Sequence, residues 1–98
     1  MRRGGGEKMK IRDTYLLKKA GDSYFLFPVG QNAVDYKHML ELNGTGYFIT
    51  TQLLNEITYD ELLKKLIAEY EATEEDLPIL RRDLDIFVYQ LREREILE

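Results

Sequence analysis

Tyr36-Lys37-His38-Met39-Leu40-Glu41-Leu42-Asn43-Gly44-Thr45-Gly46-Tyr47-Phe48 is the stretch on which the fold turns. Its first half alternates. Tyr36, His38, Leu40 and Leu42 fall on one side, and Lys37, Met39 and Glu41 on the other. Alternation of this length predicts a half-buried strand over Tyr36 to Leu42. The pattern breaks at Asn43-Gly44-Thr45-Gly46. Asn43 is a good N-cap, because its side-chain oxygen can accept a backbone N–H bond, and the apolar spacing beyond it becomes helical. A strand therefore hands directly to a helix. The chain before this point reads as β-structure and the chain after it as helix.

Toward the N-terminus, Thr14 to Lys19 is a first strand and aromatic Tyr24 to Phe27 a second. Ala20-Gly21-Asp22-Ser23 between them is a turn, with Gly21 supplying the positive φ of a tight reversal. Pro28 ends or edges the second strand, since it cannot donate to a ladder. Val29 to Asp35 reads as a loop. Three antiparallel strands result.

Toward the C-terminus, a first helix runs from Gly44 to Leu54, with Ile49 and Leu53 on one face and Ile57 continuing the spacing past its end. A second begins at Thr58, whose Glu61 three residues on is a capping-box spacing. It turns Leu62, Leu63, Leu66, Ile67 and Tyr70 to one side. Thr73 is the expected cap of the last and longest helix, with Glu74, Glu75 and Asp76 in its first turn, where negative charge suits the helix dipole. At 100° per residue Leu77, Leu80, Leu84, Phe87, Val88 and Leu91 form its core stripe. Ile79 and Ile86 lie roughly opposite, where the core does not need them. The expected fold class is α+β, winged helix-turn-helix-like: a three-stranded antiparallel sheet followed by three helices.

Ninety-eight residues make one domain with one modest core. Residues 1–8 read as a disordered, basic, glycine-rich tail, and residues 9–98 as the domain. No apolar run approaches the roughly 18 residues that a membrane helix needs, and no signal peptide is evident. Cysteine is absent, which removes disulfides, thiolate metal sites and thiol nucleophiles and suits a reducing cytoplasm. The formal charge is −4. The first ten residues hold Arg2, Arg3, Lys8 and Lys10 against Glu7, a local +3, which leaves −7 on the rest. An acidic body is a poor phosphate-binding surface.

No catalytic constellation is present. His38 is the single histidine, so no second histidine or cysteine completes a transition-metal set. Ser23 is the single serine and sits in a turn without a base. The carboxylates follow helical surface spacing, and no acid/base pair stands out. The chain reads as a binding module, and two uses compete. One is a winged helix-turn-helix regulator that reads DNA. Against it, Arg81, Arg82, Arg92 and Arg94 are interleaved with Asp83, Asp85, Glu93 and Glu95, and a groove-reading helix wants unbalanced positive charge. The other is recognition of a peptide that adds a strand to an open sheet edge, which needs only backbone groups and a nearby apolar groove.

Leu42-Asn43-Gly44-Thr45-Gly46-Tyr47-Phe48-Ile49 resembles the Leu-Asn-x-Thr-Gly-x-x-Ile strand-to-helix junction of PqqD-like proteins. Phe27-Pro28-Val29-Gly30 is similar to the loop before their third strand. Asp83-Leu84, Phe87-Val88 and Leu91-Arg92 are similar to the pattern of their last helix. The resemblance covers about residues 9 to 98. Gly44 stands where Glu is common, which lowers helix propensity. Glu95 stands where a glycine often precedes the last apolar pair, which bears on the C-terminal turn.

The resemblance implies a recognition element without catalysis or cofactor of its own, as in PQQ biosynthesis. Such an element is a peptide chaperone that binds the leader of a ribosomally synthesised precursor and presents it to a modifying enzyme, often a radical SAM protein. The leader adds to the third strand, which puts Tyr36, Lys37, His38, Met39, Leu40 and Glu41 at the expected site. It lies against one flank of the last helix, and the flank holding Ile79, Asp83, Ile86 and Gln90 is favoured because it carries the two spare isoleucines. Neither nucleic acid nor membrane is an expected partner, and an open edge permits either a monomer or a homodimer.

Overall fold

The computed structural model describes residues 7–29 and 39–98. In chain order the elements are β1 (Lys8–Met9), β2 (Tyr15–Ala20), β3 (Ser23–Pro28), β4 (Leu40–Leu42), α1 (Gly44–Leu53), β5 (Ile57–Thr58), α2 (Tyr59–Tyr70) and α3 (Leu77–Glu93). The fold is α+β, with a three-stranded antiparallel sheet in the order β2-β3-β4 and three helices. Gly21 takes φ +64° between Ala20 and Ser23, which pair across the two-residue hairpin. Positive φ at the first turn residue matches the twist of the flanking strands.

The sheet is two-sided. Leu26 is fully buried, and its cross-strand neighbours Leu17 and Leu40 pack on the core with it. Tyr24 pairs with the buried Leu42 on that same face. Leu16, Phe27, Phe25 and Glu41 alternate onto the opposite face, as the period of two demands. The core itself joins Leu26 and Leu42 to Ile49 and Leu53 of α1, Leu62 and Leu66 of α2, and Leu84, Val88 and Leu91 of α3. Burial of these large apolar side chains is the main stabilising term.

Of the strand expected over Tyr36 to Leu42, the structure describes Met39 to Leu42. Pairing to β3 covers only Leu40 to Leu42, opposite Leu26, Phe25 and Tyr24. Met39 precedes the strand, and Tyr36, Lys37 and His38 lie outside the described residues.

The division into a β half and a helical half also needs correction. Ile57 and Thr58 form β5, which pairs with β1 through Met9 and Lys8. Thr58 caps α2 with φ −84° and ψ 163°, so its backbone is already extended and can serve both roles. The N-terminal segment then ties the helical layer together. Ile11 donates to the Leu53 carbonyl at 2.8 Å, and Arg12 donates to that of Ile96 at 2.8 Å. Glu98 donates back to Lys10 at 2.9 Å, and Ile11 bridges Leu97. Met9, Ile11, Ile96 and Leu97 are all buried beneath this clasp.

Helix ends follow local chemistry. Asn43 Oδ1 accepts the Gly46 N–H at 2.7 Å and starts α1. Thr58 and Glu61 form the reciprocal capping box, at 3.1 and 3.0 Å. Thr73 does not cap α3. Its N–H and hydroxyl both donate to the Asp76 carboxylate, at 2.9 and 3.2 Å, and close a turn ahead of the helix. The helix begins at Leu77, with Pro78 in its first turn, where a missing N–H costs nothing. At the other end Glu95 takes φ +59°, Glu95 donates to the Arg92 carbonyl and Ile96 to that of Leu91. This is a Schellman turn, with buried Ile96 packed beside buried Leu91. The turn is made by a glutamate held in the left-handed region.

Candidate functional site

β4 is an edge strand. Its one neighbour among the described residues is β3, so its other side offers backbone N–H and C=O groups. Leu42 ends the strand and Asn43 caps α1 at once, which brings the first turn of α1 to the end of the sheet edge. α3 passes close by. A Cβ added to Gly46 would stand 3.2 Å from Asn43 Oδ1, 3.4 Å from Phe87 Cε1 and 3.6 Å from Leu42 Cβ. A side chain here would crowd the Asn43 cap oxygen and reach Phe87 and Leu42 at ordinary contact distance, so the strand end, the α1 start and α3 all meet at Gly46.

Between α1 and α3 lies a cleft of about 300 Å³, lined by Asn43, Thr45, Gly46 and Ile49 on one wall and Asp83, Ile86, Phe87 and Gln90 on the other. Three of the four helix residues expected at the site, Asp83, Ile86 and Gln90, line it together. Ile79 is not among the lining residues; it is exposed on the same side of α3, two turns before Ile86. On the strand, Leu40 is half-buried toward the core, while Glu41 and Met39 are exposed. Tyr36, Lys37 and His38 are not part of the described structure. The α1 wall was read from sequence only as a junction and core contact. The signal that could have found it is the same Asn43-to-Ile49 run that decides the fold.

Ile86 is 50 % exposed. The lining mixes apolar Ile49, Ile86 and Phe87 with polar Asn43, Thr45, Asp83 and Gln90. Such a surface suits an extended segment that lays side chains on apolar ground and hydrogen-bonds along its length. On the far flank of α3, Asp85 accepts a hydrogen bond from the Tyr59 hydroxyl at 2.6 Å. Burial, and then that donated bond, push the Tyr59 phenol up to about 12. The contact pins the start of α2 to the middle of α3 and so fixes the cleft's α3 wall. Tyr24 and Tyr47 stack with ring centroids 4.0 Å apart and brace α1 against β3 in the same way.

Among the described residues no group of three or more His, Asp or Glu side chains could hold a metal ion. No helix among them is long and apolar enough to cross a membrane.

Comparison with protein families agrees with the resemblance in the junction motif. The model of the family described as coenzyme PQQ synthesis protein D (PqqD) matches residues 24–97. This chain belongs to that family, a family of biosynthetic accessory proteins. The matched span opens in β3 and closes at the Ile11–Leu97 bridge, so it contains the β3–β4 pairing and both walls of the cleft. No curated protein and no solved structure matches the chain.

Proposed function

We propose that this chain is a non-catalytic peptide chaperone of PQQ-type biosynthesis. It binds the leader of a ribosomally synthesised precursor as an added strand on β4 and presents it to a modifying enzyme of the radical SAM type. The observation that carries this reading is the junction of an edge strand with an apolar cleft, within the span that matches the family. Backbone pairing along Met39 to Leu42 gives affinity with little demand on sequence, and the cleft selects side chains. Tyr36, Lys37 and His38, which precede Met39 in sequence, belong to the proposed binding segment, and Ile79 extends the apolar side of α3 beyond the cleft.

The chain's part is to hold and orient. A disordered leader loses conformational freedom on pairing, which costs several kcal/mol of the gross interaction, so affinities in the micromolar range serve a carrier that must also release. The test is calorimetry with the leader peptide of its cognate precursor. Met39 stands one residue before the β3–β4 register, so Met39→Pro removes a donor next to the free edge and spares that register. Folded Met39→Pro protein is expected to lose most of its affinity. Wild-type affinity in that variant would put the peptide elsewhere.

A further inference from the structure

The charge around this site points to the chemistry of its occupant, an inference that rests on the leader-binding reading. Asp83 is the sole ionisable residue lining the cleft among the described residues. The side-chain carboxylates of Asp83 and Glu41 make no hydrogen bond or ion pair with another described residue, whereas that of Asp85, two positions along α3 from Asp83, is engaged by Tyr59. Two of the arginines of α3 are directed elsewhere. Arg81 acts on the Tyr59 phenol on the other flank, and Arg92 reaches Glu7 at 3.9 Å. Arg82 does not line the cleft, but it is exposed one turn before Ile86, about 40° round the helix from it, and so stands at the cleft's margin.

The first turn of α1 acts in the opposite sense. It also opens on the cleft, and a helix N-terminus carries roughly half a positive charge. Asn43 already accepts from the Gly46 N–H, which reduces what is left to offer. Against about +0.5 and the Arg82 guanidinium stand the full negative charges of Asp83 and Glu41, so the described groups here remain net negative. It also belongs to a body carrying −7 outside the first ten residues, the total of −4 less their +3.

We infer that the segment seated here is basic: an extended peptide with a Lys or Arg beside a large apolar residue, the apolar side chain in the cleft and the cation on Asp83. An added strand alternates its side chains. Those on the helix side meet the cleft. Those on the other side become cross-strand neighbours of Glu41, so a second cation there is favoured as well.

The probe is the same leader, compared with versions in which each Lys or Arg is changed singly to Glu. At low ionic strength one such change should weaken binding by about 5- to 10-fold, shrinking to about 2-fold in roughly 0.5 M salt as screening shortens. Asp83→Lys should bind the wild-type leader about as poorly and recover affinity for that Glu version. Asp83→Asn should fall between, and Asp83 is exposed, so neither change disturbs the core. The binding site is read in parallel from amide shifts at Met39 to Leu42. If the leader perturbs those amides and every cation can be replaced without loss, or if Asp83→Lys binds it as tightly as wild type, the basic-segment inference is overturned and leader binding stands. If the leader leaves those amides unmoved, leader binding at this edge falls, and this inference with it.

Discussion

Ile86→Glu separates a peptide groove from a merely exposed isoleucine. Ile86 is 50 % exposed in the free chain, so an arriving peptide can still remove about half of its side-chain area from water. Full burial of an isoleucine is worth about 1.5–3 kcal/mol, so the remaining half contributes about 0.8–1.5 kcal/mol to binding. Glutamate forfeits that contribution, adds a carboxylate one turn from Asp83 and must be partly desolvated under the peptide. The expected loss is about 1–3 kcal/mol, or roughly 5- to 150-fold in Kd. The same exposure limits the damage to folding, since surface substitutions usually stay within about 0.5 kcal/mol. Circular dichroism melting should therefore show a nearly unchanged Tm, and calorimetry with the leader a large loss. A folded Ile86→Glu protein that binds within about twofold of wild type, less than 0.5 kcal/mol in the same arithmetic, would refute the groove. A variant that only converts a dimer to a monomer would reassign Ile86 to self-association.

Other consequences are open to direct measurement. Thr50 is fully buried with its hydroxyl unpartnered among the described residues, so Thr50→Val should stabilise the fold by about 1 kcal/mol, read as a higher denaturation midpoint. Glu95→Gly relieves a left-handed backbone in the Schellman turn and should stabilise by about 0.5–1 kcal/mol; a loss of stability would contradict that turn. Tyr59 holds its proton more tightly folded than unfolded, so its contribution is complete below about pH 10 and is lost as pH rises toward about 12. Phenolate absorbance should show one late-titrating tyrosine that Tyr59→Phe abolishes. Duplex DNA should show no nanomolar, salt-sensitive binding near physiological ionic strength, given the acidic body and the mixed charges on α3.

Local rules read the chain well where a side chain bonds within its own segment. Asn43, the Thr58–Glu61 box and Gly21 each act over two or three residues, and each is visible from spacing alone. The stripes of α2 and α3 were legible because burial of one face imposes a period of about 3.6. Thr73 misled because Asp76, three residues on, competes for its N–H and hydroxyl. β1, β5 and the Ile11–Leu97 bridge were not legible. Each is one or two residues long, and the partners lie 48 or more positions apart, as Met9 does from Ile57, so no period can develop. The site was half legible. Ile86 stood out because the core left it exposed, but the opposite wall consists of residues already explained by a cap and a core contact. Only the fold brings Asn43, Thr45 and Ile49 across from Asp83 and Gln90.

Pairing of the leader with β4, and its seating in the α1–α3 cleft, can be read from nuclear magnetic resonance of labelled protein with unlabelled leader, through intermolecular contacts and amide exchange. The expected result is contacts from the leader backbone to Met39–Leu42, contacts from a leader side chain to Ile86 and Phe87, and slowed exchange of the β4 amides that face away from β3. Leader contacts confined to β2, or to the α1–α2 groove at Phe48 and Lys65, with unchanged exchange along β4, would contradict both the strand addition and the cleft.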